Sequence, residues 1–144
     1  MTKWTISISA HAPVPPEVIF PFYLDPSTWA TYGHNTRWAR ARVPVPVREG
    51  DIVDVKAGYG KVYPVLVKKL ETDRFIECEV RPPGMVVTNR YWVEPLGDGC
   101  RIRHGIEVSG RFAGISKLLG FDRLYTRLLR KEIAALITYA AERR

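Results

Sequence analysis

The sequence predicts an α+β fold: seven antiparallel strands, two short helices after the first strand, and one long C-terminal helix. Three observations carry this. Residues 112–144 contain no proline, and Phe121, Tyr125, Leu129, Ile133 and Ile137 recur at four-residue spacing, widened by Leu118, Leu128, Leu136 and Ala140. Arg123, Arg127, Arg130 and Lys131 fall on the other side, the pattern of a helix with one buried and one solvated face. Ahead of that helix, short apolar runs alternate with Gly, Pro and Asp turn chemistry, and a proline-rich break follows the first run.

In chain order, Trp4, Ile6 and Ile8 alternate with Thr5, Ser7 and Ser9, a half-buried strand. Ala12-Pro13-Val14-Pro15-Pro16-Glu17 stops it, and proline is tolerated at a helix's first positions. Val18, Ile19, Phe22 and Tyr23 give a short helix that Pro21 should kink. Asp25-Pro26-Ser27 ends it and can cap a second short helix around residues 28–32. Six strands follow, over residues 36–43, 51–57, 61–70, 74–80, 85–94 and 100–109, joined by links short enough to make neighbours antiparallel. Gly114 and Gly120 predict a weak or bent start to the final helix, firm from about Asp122.

Strand parity gives the faces. An even-numbered loop at Gly97-Asp98-Gly99 puts Val87, Asn89, Tyr91 and Val93 on one face with Ile102, His104, Ile106 and Val108. Arg90, Trp92 and Glu94 then oppose Arg101, Arg103 and Glu107, a charge-paired, solvated face, so the first set turns toward the final helix. The same parity at Thr72-Asp73 turns Tyr63, Val65, Val67, Ile76, Cys78 and Val80 inward and leaves Leu66, Leu70 and Phe75 outside. The inner face is thus apolar but carries Asn89, Tyr91 and His104. Leaving such groups buried without partners costs roughly 1–3 kcal/mol each, so they satisfy one another or face water or a ligand.

Composition bounds the function. At 144 residues the chain fits one domain, residues 1–144, with a real core. A 46% hydrophobic and 26% charged content excludes disorder. No apolar run approaches the ~20 residues of a membrane span, and the first residues enter a strand pattern with no signal region, which makes the cytoplasm the expected location. Cys78 and Cys100 lack any CxxC or histidine pattern, so neither disulfide framework, metal nor cofactor is expected. The net charge of +7 and pI near 9.6 raise nucleic acid or an anionic membrane as partners. The positive residues are scattered, and no RNA- or DNA-binding motif accompanies Arg37-Trp38-Ala39-Arg40. That argues against nucleic acid and keeps an anionic membrane surface in play; the oligomeric state stays open.

The chain resembles the START-like (SRPBCC) helix-grip superfamily, which includes the birch-pollen allergen, and within it the polyketide cyclase/dehydrase and lipid transport branch. The likeness rests on Ala12-Pro13-Val14-Pro15-Pro16-Glu17-Val18-Ile19-Phe20, similar to the family's "AP.e.Vw" opening, and Asp25-Pro26-Ser27-Thr28-Trp29, similar to "DPe.w". Residues 91–102, Tyr-Trp-Val-Glu-Pro-Leu-Gly-Asp-Gly-Cys-Arg-Ile, resemble "y.lep..dGTrv", with Cys100 in place of the usual Thr. The resemblance spans essentially the whole chain. It implies a seven-stranded sheet gripping the C-terminal helix, with an apolar cavity between them that takes hydrophobic small molecules. Fold does not fix function, since the superfamily includes both carriers and cyclases.

His104 is the candidate for chemistry. Set inward beside Tyr91, it could move a proton near neutral pH, or serve as a satisfied core histidine. Asn89 could hold a polar ligand group, and Trp38, Tyr63, Phe121, Tyr125 and Leu129 could line the pocket, although core packing is the commoner role for such rings. His34 could stand at the entrance. No acyl-transfer triad assembles around the serines or cysteines, carboxylates are scarce on the inner face, and Gly58-Tyr59-Gly60 lacks the helix a phosphate loop needs. The leading reading is binding, possibly transport, of a hydrophobic or aromatic small molecule between sheet and helix. The alternatives are a cyclase, aromatase or dehydratase using His104 and Tyr91, and a basic module for a membrane or protein surface.

Overall fold

A computed structural model describes residues 3–33 and 35–143. Its elements are β1 (Trp4–Ala12), α1 (Pro16–Tyr23), a 3-10 turn (Pro26–Thr28), α2 (Trp29–Tyr32), β2 (Thr36–Ala41), β3 (Ile52–Ala57), β4 (Val62–Glu71), β5 (Phe75–Val80), β6 (Val86–Leu96), β7 (Gly99–Ser109), α3 (Ala113–Leu118) and α4 (Phe121–Glu142). The strands form one antiparallel sheet in the order β1-β7-β6-β5-β4-β3-β2, so β1 closes onto the last strand and every other neighbour is a hairpin. Together with α4 this is the helix-grip arrangement.

Each element follows from local chemistry. Pro16 opens α1 where its missing N–H costs nothing, and the helix runs through Pro21 to end where the Leu24 N–H donates to the Pro21 carbonyl. The Asp25 side chain accepts from the Ser27 N–H at 3.1 Å and starts the 3-10 turn. The β6–β7 turn holds two residues, Gly97 and Asp98, with Leu96 paired to Gly99 and Gly97 at φ +59°. That even-numbered loop sets the register: Val87 opposes Val108, Asn89 opposes Ile106, Tyr91 opposes His104 and Val93 opposes Ile102.

The β4–β5 hairpin departs from simple parity. The register shifts between Val67 and Lys69, so Val67 pairs with Cys78 but Leu70 pairs with Ile76. The extra residue, Lys68, switches faces midway along the strand. Leu70 therefore packs on the core, while Phe75 stays outside, 5.5 Å from Trp92. The outer face carries ion pairs as expected, with Arg90 donating to Glu77 at 2.7 Å and reaching Glu107 at 3.4 Å.

Gly120, in the left-handed region at φ +84°, breaks the C-terminal helical stretch in two. The indole N–H of Trp4 bonds to the Ala113 carbonyl at 3.1 Å and the Ser116 hydroxyl at 3.0 Å, which pins α3 to β1. Along α4, Leu129, Ile133, Leu136 and Ala140 are buried. Each large apolar side chain sequestered this way is worth roughly 1.5–3 kcal/mol. The helix meets the sheet chiefly at β1 and leans on α1 and α2. It stands off from the middle of the sheet, and that gap is the site.

Candidate functional site

The gap is a cavity of about 250 Å³ between the inner faces of β3–β7, the two short helices and α4. Val55, Val65, Ile76, Val80, Val87, Ile106, Leu128 and Leu129 supply apolar walls; Trp29, Tyr23, Tyr32, Tyr59, Tyr63, Tyr91 and Tyr125 supply rings. Asn35, Thr36, Cys78, Asn89 and Glu132 add carboxamide, hydroxyl, thiol and carboxyl groups to the lining.

Of the residues proposed from sequence, Asn89, Tyr91, Tyr63, Tyr125 and Leu129 line this cavity. Trp38, Phe121 and His104 do not. The register of β2 turns Ala39 inward opposite Val55, which leaves Trp38 on the other face with the Arg40 guanidinium 4.6 Å over its ring. Phe121 stands outside, with its ring edge-on to Tyr125 at 6.2 Å. His34 lies outside the described residues.

His104 faces inward as its strand parity requires, yet it sits behind the cavity wall. It is fully buried; its Nε2 and the Tyr23 hydroxyl share a hydrogen bond at 2.6 Å, and its Nδ1 has no partner. Tyr91 meets the imidazole edge-on at 4.5 Å and stacks on Tyr23 at 5.2 Å, so two phenol rings seal it from the void. Desolvation pushes the His104 pKa down to about 3, which leaves the ring neutral at physiological pH. The sequence reading paired His104 with Tyr91; the hydrogen bond goes to Tyr23, because α1 lays that side chain over β7. Neutral, sealed and bonded, His104 is not placed to exchange protons with a molecule in the cavity.

The group sequence reasoning missed is Glu132. It projects from α4 into the cavity with no hydrogen bond or ion pair to any described residue, and desolvation pushes its pKa up to about 7. Burial first and then its negative charge raise the pKa of Tyr23, Tyr32 and Tyr91, which line the same cavity. The signal was available: Glu132 lies four residues after Leu128 and four before Leu136, inside the apolar stripe. Tyr23 and Tyr32 were not legible in this way, since only the docking of the short helices brings them to the sheet. Tyr91 and Asn89 also line the void without a side-chain hydrogen bond to a described residue. Among the described residues no group of three or more His, Cys, Asp or Glu side chains could hold a metal ion. Burial also pushes the Cys78 thiol up to about 12, so it is no nucleophile.

The model of the family described as "Polyketide cyclase / dehydrase and lipid transport" matches residues 3–141. The chain belongs to that family. Among solved structures, a START superfamily protein from Mycobacterium smegmatis is similar at TM-score 0.79 and 12% identity, over 97% of this chain and 99% of that one. A norcoclaurine synthase from Thalictrum flavum, a point mutant bound to a transition-state analogue, gives 0.74 and 16%, over 99% and 96%. The di-domain aromatase/cyclase StfQ of the steffimycin pathway gives 0.76 and 11%, over 98% of this chain and 51% of that one. At such identities the likeness shows the shared fold. None of the curated proteins compared matches the sequence. Among the described residues no helix is long and apolar enough to cross a membrane.

The two perturbed groups shift stability with pH in opposite directions. His104 is depressed, so the unfolded chain takes up a proton that the fold refuses, and stability is lost as pH falls from 6.5 toward about 3. Glu132 is raised, so its contribution is fully present below 4.5 and lost as pH rises to about 7. Urea denaturation should therefore show Glu132→Gln gaining on the wild type between pH 4.5 and 7, by at most about 1.4 kcal/mol per pH unit. A difference independent of pH would contradict this placement of the carboxyl.

Proposed function

We propose that the protein binds a small hydrophobic or aromatic molecule, of about one or two rings, in the cavity between the sheet and α4. The observation that carries this is the lining itself: apolar walls and seven aromatic rings around a void lined also by Asn89, Tyr91 and Glu132, which make no side-chain hydrogen bond to a described residue. A collapsed core would have filled the space or paired those groups. At about 250 Å³ the void lies just below the ~300–1,000 Å³ of drug-sized pockets, which suits a compact ligand. The fold family's hydrophobic-ligand binders and cyclases are consistent with this reading. Binding is favoured over catalysis by a His104–Tyr91 pair, because His104 is sealed off and neutral. In a fluorescence titration, 2-naphthol should bind the wild type, and Leu128→Trp, which fills the cavity from α4, should weaken it on the order of tenfold or more. Equal binding by both proteins would sink the cavity reading.

A second reading, docking on an anionic membrane, is favoured by a separate observation. At the α3–α4 corner Leu118 is 86% and Leu119 68% exposed, flanked by Phe112, Ile115, Phe121 and Leu124. Arg111, Lys117, Arg123 and Arg127 lie in the same stretch of sequence, with Asp122 its one acid. Apolar side chains at the tip and cations at the rim complement an anionic bilayer. The corner adjoins the cavity through Phe121 and Tyr125, and Tyr59 both lines the cavity and is 65% exposed. Co-sedimentation with phosphatidylserine vesicles should fall with added salt and drop several-fold in a Leu118→Asp/Leu119→Asp variant. Retention by the vesicles that neither salt nor this variant alters would exclude the corner.

A further inference from the structure

We propose that the cavity selects a protonated amine: a compact aromatic or hydrophobic ligand whose ammonium group pairs with Glu132 inside a cage of tyrosine rings. This deepens the cavity-binding reading and rests on it.

Glu132 is an expensive residue to place where it is. A carboxyl in the apolar stripe of α4, midway between Leu128 and Leu136, contributes nothing to packing that leucine would not do better. It makes no hydrogen bond or ion pair with a described residue, so none of these holds it in a structural pair. The titratable groups that share the cavity lining with it are Tyr91 and Cys78 from the sheet, Tyr23 from α1 and Tyr32 from α2, with Tyr59, Tyr63 and Tyr125 further round the wall. None is a cation. Among the described residues the cavity lining contains no Lys, Arg or His that could serve the carboxyl as a counter-charge.

The surrounding chemistry suits one kind of guest. An ammonium is stabilised by a carboxylate and by the faces of aromatic rings, and both effects strengthen away from water. Tyr23, Tyr32, Tyr91 and Trp29 supply rings to the same lining as the acid, and Tyr91 and Asn89, without a side-chain hydrogen bond to a described residue, offer polar atoms to the rest of the guest. A neutral guest would leave the acid protonated, and an anionic guest would be repelled. A cationic guest supplies the missing partner and draws the proton off Glu132. With the acid's empty-cavity pKa near 7, amine affinity rises with pH toward 8 and falls as pH drops below 7.

The test compares 2-phenylethylamine with its neutral isostere 2-phenylethanol by isothermal titration calorimetry. At pH 8 the wild type should prefer the amine on the order of tenfold or more, and Glu132→Gln should erase that preference. Circular-dichroism melts establish that the variant is folded. A second readout uses the wild type alone: at pH 6.5, in buffers of different ionisation enthalpy, amine binding should release a fraction of a proton and alcohol binding none. Equal affinity for the two probes, a preference that survives in Glu132→Gln, or no proton release would each overturn the amine assignment. If 2-naphthol binds while the amine shows no advantage, this inference falls and cavity binding stands; if none of the three probes binds, both fall.

Discussion

The structure depends on how a long helix with a carboxyl in the middle of its apolar stripe can lie on a sheet. Leu129, Ile133, Leu136 and Ala140 gain by burial and draw α4 down. Glu132, on the same side, has no partner on the sheet, and Asn89 and Tyr91 across the cavity make no side-chain hydrogen bond to a described residue. Full closure would bury three polar groups at roughly 1–3 kcal/mol each. The compromise is asymmetric: the helix seats on β1, with α1 and α2 bracing it, and stands clear of the central strands. The cavity results from that asymmetry.

The short helices complete the arrangement and decide which polar group is available for chemistry. Tyr23 reaches from α1 to His104 and, with Tyr91, removes the imidazole from the cavity. Removing it drives the histidine's pKa down, whereas Glu132, desolvated but facing the void, is driven up. His104 is thereby kept neutral behind the cavity wall, whereas the Glu132 carboxyl, on that wall, is pushed up to about 7. On the outer face of the sheet Arg90 pairs with Glu77 and Glu107, while at the α3–α4 corner Leu118 and Leu119 are exposed in a stretch that also carries Arg111, Lys117, Arg123 and Arg127. These surfaces therefore differ in what they can recognise.

Much of this was legible in the residues. The four-residue stripe gave α4 and its break near Gly120, and the two-residue turn at Gly97 and Asp98 gave the register that sets Asn89 and Tyr91 beside Ile106 and His104. Parity failed at Leu70 because the bulge at Lys68 leaves no mark in an apolar–polar pattern. Trp38 was misplaced because its strand is short and irregular in register, so its inward side was open to either reading. Tyr23 could not be found from sequence, since its site role arises from a helix crossing onto a strand eighty-one positions away. Glu132 could have been found: a lone acid at heptad-like spacing between two leucines signals either a solvated edge or a lined cavity, and only the helix's seating on β1 separates them.

The most direct test of the account is where a ligand sits. Methyl-labelled protein saturated with 2-naphthol should show intermolecular NOEs from the ligand to Val87, Ile106, Leu128 and Leu129, which line the cavity. NOEs confined to Leu118 and Leu119 would put the ligand on the exposed corner instead and contradict an internal site.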